Sequence, residues 1–335
     1  MTMTRREIVR RAITFDKPPR LPFFQHELKE FPDDVCDCWE MDRARKGWFF
    51  DQPVEDDWGC VWAATEQKNM GQVIGHPLAD WRKLATYRPP DPRDPFYFAR
   101  IEDKLKDAGD RYVVITSHFN LIDRLHLLRG FVRTLEDFHL EPEKTEKVLD
   151  LILAFKLEQF DELHRRFGDR VDGLLLTDDW GTQQGTFINP RMFEQFYLER
   201  YRRLARAVHG HGWHLILHSC GRVNDFVPYF IEAGVDVLNM QQPRTYGIAE
   251  IGKRFAGKVC FLTTVDIQTT LPSGDPGEIR AEARELVEKW STPAGGLIVF
   301  NYGDPAALGV RPEAAKTMFQ AFLDQEKGPE NPGKS

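Results

Sequence analysis

The chain has 335 residues, of which 41% are hydrophobic, and its formal net charge is −7 at pH 7. This length suits one large domain or two small ones, and barrel folds commonly use it as a single domain. The negative charge argues against nucleic acid as a partner, because neutralising phosphates requires a basic surface. No apolar run approaches the roughly 20 residues that span a bilayer, so we expect no membrane partner.

The N-terminal residues predict a short amphipathic helix, with apolar positions from Ile8 to Ile13, that ends at the double proline after Lys17. The segment is basic but lacks the apolar region of a secretory signal. A mitochondrial transit peptide is the alternative, and the acidic residues Glu7 and Asp16 argue against it.

The cysteines are odd in number and scattered, which argues against a disulfide framework and predicts a reducing, cytoplasmic location. Cys36 and Cys38 have the spacing of a ligand pair, but their surroundings suggest a loop without a nearby histidine. The other three are Cys60, Cys220 and Cys260.

The first half of the chain is irregular. We predict strands at 20–24 and 111–118, and a long amphipathic helix at 141–167. Residues 60–63 suggest either another strand or part of a hairpin. Residues 28–100 are rich in aromatic residues, Asp and Pro, which indicates a long insertion over one face of the sheet.

The second half alternates strands and helices. Helix starts are predicted at Asn189-Pro190, near residue 224, at Asp275-Pro276 and at Arg311-Pro312. The strands are continuous apolar runs, as in a parallel sheet covered by helices on both faces. Seven or eight such units without a glycine-rich dinucleotide motif favour an α/β fold of the (β/α)8 TIM-barrel type. We predict a single domain over 1–326, a disordered tail at 327–335, and strands at 172–179, 213–220, 235–241, 259–264 and 295–302.

Polar or ionisable side chains follow nearly every predicted strand. In a barrel these positions form the mouth at the C-terminal ends of the strands, where TIM-barrel active sites lie. The residues at these exits are His26, Glu27, His118, Asp178, Asp179, His218, Cys220, Asn239, Gln241, Gln242, Asp266, Gln268, Asn301, Tyr302 and Asp304.

His218 and Cys220 are the most informative pair. Side chains two apart on a strand point to the same side, so one metal ion could take both as ligands. Imidazole and thiolate are ligands that zinc prefers. The alternatives are a buried cysteine beside a hydrogen-bonded histidine, and a cysteine nucleophile with its histidine base.

Asp178 and Asp179 are adjacent, so at most one of them faces the barrel axis. We select Asp178 as a catalytic acid or base, together with His118. A helix cap or a salt bridge is the alternative for one member of the aspartate pair. Trp180 is a candidate substrate contact, with core packing as its alternative.

With these residues placed, the chain resembles the uroporphyrinogen decarboxylase-like superfamily over nearly its whole length. The stretches that carry the resemblance include REIVRRAITFDKPPRLP, TDDWGTQQGTFINPRMFEQFY and, most specifically, HGHGWHLILHSCGRVNDFVPYFIEAGVDVLNMQQP. The resemblance implies a (β/α)8 barrel.

The superfamily includes metal-free decarboxylation of porphyrinogens and zinc-dependent methyl transfer that involves corrinoid proteins. The His-x-Cys pair belongs to the zinc branch and corresponds here to His218 and Cys220. The decarboxylases carry an arginine-rich stretch after the first strand, whereas this chain has FFQHELKEF. The resemblance therefore favours the zinc branch.

The chain departs from that branch at two ligands. The later zinc cysteine is missing, because the last strand is followed by FNYGDP and no cysteine lies beyond Cys260. A glutamate that some relatives use corresponds approximately to Gln241 or Gln242. Zinc on His218 and Cys220 then requires further ligands, and the candidates are Glu27, His26, Asp178 and His118. The alternatives are a site that binds metal weakly and one that binds none.

We therefore expect a zinc-assisted methyltransferase or demethylase that moves a methyl group between a small methylated substrate, or a methyl-corrinoid protein, and an acceptor. A separate protein would carry the corrinoid, because no Asp-x-His-x-x-Gly motif is present. A metal-free decarboxylase or lyase acting on a small carboxylate is the first alternative, and a non-catalytic ligand-binding barrel is the second. We also expect a homodimer. Candidate substrate-binding residues are Gln241, Gln242, Asp266, Asn301, Tyr302 and Trp180.

Overall fold

A computed structural model describes residues 3–25, 27–38, 52–65 and 71–326. The candidate ligand His26 and the predicted tail 327–335 lie outside these residues. Within the described helices, none combines the length and the apolar character needed to cross a membrane.

The described strands form an eight-stranded parallel sheet and a three-stranded antiparallel sheet. The parallel sheet has the order β1-β11-β10-β9-β8-β7-β6-β2, and the antiparallel sheet has the order β3-β4-β5. The bounds are β1 Phe23–Phe24, β2 Val35–Cys38, β3 Val54–Glu55, β4 Val61–Ala63, β5 Gln72–Gly75, β6 Tyr112–Ser117, β7 Gly173–Thr177, β8 His214–His218, β9 Val237–Met240, β10 Cys260–Thr263 and β11 Leu297–Phe300.

Helices alternate with the strands of the parallel sheet, and the fold is a nearly closed TIM barrel, as predicted. Short 3₁₀ turns and one π turn, Glu194–Leu198, connect some of them. The α-helices are α1 Arg5–Thr14, α2 Ile101–Lys106, α3 Leu121–Arg129, α4 Phe131–Leu140, α5 Pro142–Phe167, α6 Pro190–Phe193, α7 Glu199–Gly210, α8 Val227–Ala233, α9 Pro243–Tyr246, α10 Ile248–Phe255, α11 Thr270–Ser273, α12 Pro276–Trp290 and α13 Pro312–Glu326.

Several predicted helix starts are confirmed by their caps. The side chain of Asn189 accepts a hydrogen bond from the backbone N–H of Met192 at 3.0 Å, and Pro190 begins α6. Asp275 accepts from the first turn of α12 in the same way. These side chains satisfy N–H groups that have no partner inside the helix, which is why Asn and Asp before a proline predict a helix start.

Asp34 joins the first and second barrel strands. Its backbone N–H donates to the carbonyl of Phe23, and its carboxylate accepts from the N–H of Phe23, both at 2.8 Å. The guanidinium of Arg20 donates to both carboxylate oxygens at 2.6 and 2.7 Å. One buried carboxylate therefore bridges the seam where the barrel nearly closes.

The barrel interior is filled by alternate strand residues. Val114, Leu175 and Ile216 face inward and pack with residues of helix α1, whereas their neighbours along each strand pack against the surrounding helices. Helix α1 contributes Val9 and Ile13 to this inner cluster. The inner layer is therefore packed and covered by α1, and the inward-facing polar side chains of Asp37 and Asn239 lie towards the C-terminal ends of their strands.

The structure corrects two expectations in the first half of the chain. Cys36 and Cys38 do not lie in a loop: they belong to β2, a barrel strand inside the range 28–100 that we assigned to an insertion, and β2 pairs with β6. β2 has four residues, and the inward-facing Asp37 interrupts its apolar side chains. The sequence therefore contains no continuous apolar run that would indicate this strand. Residues 60–63 belong to the antiparallel sheet, in agreement with the hairpin alternative.

We predict that replacing Ile216 by Ala lowers the free energy of unfolding by about 2–5 kcal/mol, because it leaves a cavity inside the barrel. Ile74→Ala is the matched control, since the Ile216 side chain is 2% exposed and that of Ile74 is 62% exposed. The control should change stability by less than about 0.5 kcal/mol. Urea denaturation measures both, and equal losses would contradict the inward position of Ile216.

Candidate metal centre

Three potential metal ligands meet at the C-terminal ends of β7 and β8. The ligand atoms of Asp179, His218 and Cys220 all lie within 4.8 Å of one another. Cys220 Sγ is 3.3 Å from His218 Nε2, and His218 Nε2 is 3.7 Å from Asp179 Oδ1. Among the described residues, these three form the group of His, Cys, Asp or Glu side chains whose ligand atoms lie close enough together to hold one metal ion.

The register of β7 and β8 explains why the three ligands lie close together. β7 and β8 run parallel, with Thr177 opposite His218, so the residues that follow each strand end leave the barrel side by side. The backbone N–H of Asp178 donates to the carbonyl of His218 at 3.0 Å, and that of Cys220 donates to Asp179 Oδ1 at 2.8 Å. Although β8 ends at His218, the pair faces the same side, as its spacing predicts.

A close approach of two glycines fixes the loops behind the ligands. A Cβ atom on Gly221 would lie 2.2 Å from the backbone of Gly181, and Gly221 has a positive φ of 80°. The backbone N–H of Gly221 also donates to Gln242 Oε1 at 3.1 Å. Gln242, a candidate substrate contact, therefore holds the loop that carries Cys220.

The Cys220 thiol is not activated as a nucleophile. Burial, followed by the Asp179 carboxylate, raises the pKa of Cys220 well above its ordinary value. Cysteine nucleophiles normally have a lowered pKa, because the thiolate is the reactive form. The nucleophile–base interpretation of His218 and Cys220 is therefore disfavoured, whereas a metal would supply the charge that stabilises the thiolate.

Gln241 and Tyr302 lie beside the group. Gln241 Nε2 is 3.4 Å from His218 Nδ1. Burial and the nearby Cys220, Asp304 and Asp179 raise the pKa of Tyr302, which therefore shares the same mouth. Both positions agree with the prediction that residues after β9 and β11 face the site.

The Asp178 side chain, which we selected as a catalytic aspartate, does not face the three-residue group. Its side chain is 0% exposed. Its carboxylate accepts from the backbone N–H groups of Leu121 and Asp123 at the start of α3, and from the Tyr201 hydroxyl at 2.6 Å. Asp178 therefore caps α3, as the alternative for one member of the pair has it, and Asp179 is the member that joins the ligand group.

Trp180 and Asp266, two candidate substrate contacts, are both buried. Trp180 is fully buried among Phe193, Tyr197 and Tyr201, and its indole N–H donates to the Tyr201 hydroxyl at 2.9 Å. Asp266 is 1% exposed and accepts from the backbone N–H groups of its own loop and of Arg244. Both are structural, because their polar atoms are used within the protein.

His118, Glu27 and Asn301 lie at strand exits but outside the three-residue group. His118 follows β6, and its carbonyl accepts from the buried Lys156 ammonium at 3.0 Å. Glu27 is exposed and accepts from Asn301 Nδ2 at 3.4 Å. Neither Glu27 nor His118 belongs to the group of adjacent ligand atoms.

Sequence reasoning missed two inward-facing residues. Asp37 lies on the inner face of β2 and accepts from the Thr116 hydroxyl at 2.9 Å. Asn239, which we noted only as a strand exit, contacts His218. Strand alternation would have placed Asp37 inside the barrel if the short strand β2 had been recognised.

Comparison with known proteins agrees with this geometry. The sequence profile of the family described as uroporphyrinogen decarboxylase (URO-D) matches residues 59–324. The chain belongs to this family. Among curated proteins, no match is found.

Solved structures show the same fold. A methyltransferase from Methanosarcina mazei is similar with a TM-score of 0.63 and 18% sequence identity, over 80% of this chain and 76% of that chain. A D-psicose 3-epimerase, solved in the presence of D-fructose, has a TM-score of 0.41 and 10% identity over 73% of this chain and 86% of that one. The second likeness is too distant to carry an argument, and the first supports the barrel.

We predict that Gly221→Ala lowers the free energy of unfolding by about 3–5 kcal/mol, since it combines a backbone clash with a left-handed φ. Gly212→Ala is the matched control, because Gly212 has a φ of 77° and nothing within 4 Å of an added Cβ. The control should lose only about 1–2 kcal/mol. Chemical denaturation of both variants distinguishes the cost of the backbone clash from the cost of the left-handed φ. Similar losses of stability in the two variants would contradict the close approach of Gly221 to Gly181.

Proposed function

We propose that this protein is a zinc-assisted methyltransferase or demethylase, which moves a methyl group between a small methylated substrate, or a methyl-corrinoid protein, and an acceptor. The observation that carries the proposal is the convergence of Asp179, His218 and Cys220 at the mouth of a URO-D family barrel. The methyltransferase from Methanosarcina mazei, which shares the fold, is consistent with this chemistry.

The ligand set suits zinc. A tetrahedron with zinc–ligand bonds of about 2.0–2.3 Å has edges of roughly 3.3–3.8 Å. The distances from His218 Nε2 to Cys220 Sγ and to Asp179 Oδ1 are 3.3 and 3.7 Å. Three protein ligands leave a fourth position for substrate, which is the pattern of catalytic rather than structural zinc sites. Asp179 thereby takes the place of the cysteine that the chain lacks.

Zinc at these residues would supply Lewis acidity, either by lowering the pKa of a substrate thiol or by polarising a leaving oxygen. The protein contributes orientation and proton transfer. Cys220 must lose its thiol proton to act as a ligand, and the half-exposed Asp179 carboxylate, whose charge raises the pKa of that thiol, is a nearby acceptor. Tyr302 and Gln241 border the fourth position, and His118 remains the proposed acid or base.

The exit of β1 supports methyl transfer over porphyrinogen decarboxylation. Glu27 is exposed there, and the stretch 23–31 contains no arginine. A tetrapyrrole carries several carboxylates, so the exposed carboxylate of Glu27 would repel it. A small substrate fits better with a lumen whose inner layer is filled by packed side chains. A corrinoid group would enter on a separate protein.

We predict that protein expressed with added zinc and purified without chelator carries about one zinc ion per chain. Asp179→Asn and Cys220→Ser should each lower the zinc content or affinity by at least about tenfold, because even changes beyond the ligands cost 10- to 100-fold. Elemental analysis of the folded proteins measures this.

Cys260→Ser is the control for these variants, because Cys260 is a fully buried cysteine of the inner barrel cluster and is not part of the ligand group. It should retain zinc if it folds, which circular dichroism checks. Wild-type protein without zinc would contradict the proposal and favour the metal-free lyase.

We predict that the zinc-loaded protein transfers the methyl group of free methylcobalamin, a surrogate for a methyl-corrinoid protein, to a small thiol. The products would be a thioether and cob(I)alamin, and the absorbance change of the corrinoid follows the reaction under anaerobic conditions. Cys220→Ser and chelator-treated protein should lose at least about 100-fold in rate, since both remove the Lewis acid. Zinc-loaded protein that instead releases carbon dioxide from small carboxylates would contradict methyl transfer.

A further inference from the structure

We propose that Asn239 is a positioning residue that holds His218 in the tautomer with the proton on Nδ1, so that the Nε2 lone pair faces the metal position. The assignment of the tautomer stands on hydrogen bonds alone. Its consequence for zinc rests on the proposed function.

Asn239 is positioned by the barrel itself. It lies in β9 directly opposite His218 of β8, and it shares the inner face of its strand with Val237. Its side chain is 1% exposed, so its amide must find partners within the protein. Asn239 Oδ1 is 2.8 Å from His218 Nδ1, and Asn239 Nδ2 is 3.0 Å from the carbonyl oxygen of Leu262.

The neighbours of the amide determine its orientation. The carbonyl of Leu262 can only accept, so the group that faces it must be the NH₂ of Asn239. Gln241 Nε2 also donates to Asn239 Oδ1, at 2.8 Å. Rotating the amide of Asn239 would place oxygen against oxygen at Leu262 and donor against donor at Gln241. Oδ1 therefore points at His218.

The orientation of the amide determines the histidine tautomer. Asn239 Oδ1 cannot donate, and the backbone carbonyl of Asn239, 3.2 Å from the same Nδ1, cannot donate either. Gln241 Nε2 lies 3.4 Å from Nδ1 but donates to Asn239 Oδ1 at the shorter distance of 2.8 Å, so it does not take the place of the 2.8 Å contact between Nδ1 and Oδ1. Nδ1 must therefore carry the proton. A neutral imidazole has only one, so Nε2 presents its lone pair towards Cys220 Sγ at 3.3 Å and Asp179 Oδ1.

This arrangement prepares the ring for a metal. A ligating histidine usually donates its other N–H to an oxygen, which fixes the ring and raises the basicity of the ligating nitrogen. Loss of such a partner typically costs 10- to 100-fold in metal affinity. In the opposite tautomer, Nε2 would donate to Asp179 and could not bind a metal without a proton shift.

The first test needs no metal. In metal-free protein with ¹⁵N-labelled histidine at pH 8, long-range ¹H–¹⁵N correlation spectra distinguish the two tautomers, and His218→Gln identifies the resonance by its absence. We expect the proton of His218 on Nδ1 in the wild type. A proton on Nε2 would overturn the assignment.

Variants test the role of Asn239. Asn239→Leu removes the acceptor and should move a large part of the population to the Nε2–H tautomer, whereas Asn239→Asp keeps an acceptor and should preserve Nδ1–H. Asn224→Leu is the matched control, because Asn224 is also a buried amide of the same half of the barrel, but it donates to the carbonyl of Tyr246 and not to Asn239 or His218. Asn239→Ala replaces Asn239→Leu if the latter does not fold.

Zinc competition against a chromophoric chelator completes the test. Asn239→Leu should weaken zinc binding by about 10- to 100-fold, and Asn239→Asp and Asn224→Leu by less than about fivefold. Unchanged tautomer and affinity in Asn239→Leu would overturn the positioning role. Wild-type protein that shows Nδ1–H but binds no zinc would support the tautomer and overturn the proposed function instead.

Discussion

The parallel register of β7, β8 and β9 is the constraint on which the rest of the site depends. It places Thr177 beside His218, and His218 beside Asn239, at one level of the barrel. Beyond these residues, the segment that follows each of the three strands carries a polar side chain towards the mouth of the barrel. A shift of one residue in β8 would turn His218 towards the surrounding helices, because strand side chains alternate with a period of two. The close packing of the inner layer makes such a shift costly.

A second layer of buried polar groups keeps the Asp179 loop in place. Asp178 has its pKa raised by burial, and it is held by three donors that include the Tyr201 hydroxyl. Asp123 accepts from the backbone N–H of Asp179 at 3.2 Å. Removing one partner from such a buried group costs about 1–3 kcal/mol, and more when the group is charged. These residues act through Asp179, and their burial separates them from substrate.

The sequence predicts the barrel well, because buried parallel strands are continuous apolar runs and their helices begin with Asn-Pro or Asp-Pro caps. The His-x-Cys spacing also predicts a shared face correctly. Asp178 and Asp179 could not be told apart, since the choice depends on where α3 begins in space, 57 residues earlier in the chain. β2 was hidden by its length and by an inward aspartate. Asn239 has an obvious polar side chain, but only strand pairing reveals that it faces a histidine.

The exchange of a cysteine ligand for Asp179 would alter the chemistry of the proposed site more than its charge. A carboxylate and a thiolate each contribute one negative charge, so the ligand set with Asp179 neutralises as much of the zinc charge as a set with a cysteine in its place. Oxygen is a harder ligand than sulfur and donates less electron density, which leaves the metal a stronger Lewis acid. The Asp179 side chain is 46% exposed and that of His218 is 14% exposed, so the oxygen ligand is the one open to solvent. A site of this composition would polarise a substrate oxygen, or acidify a substrate thiol, more strongly than a cysteine-rich site would, and the open side of Asp179 is where the substrate would approach.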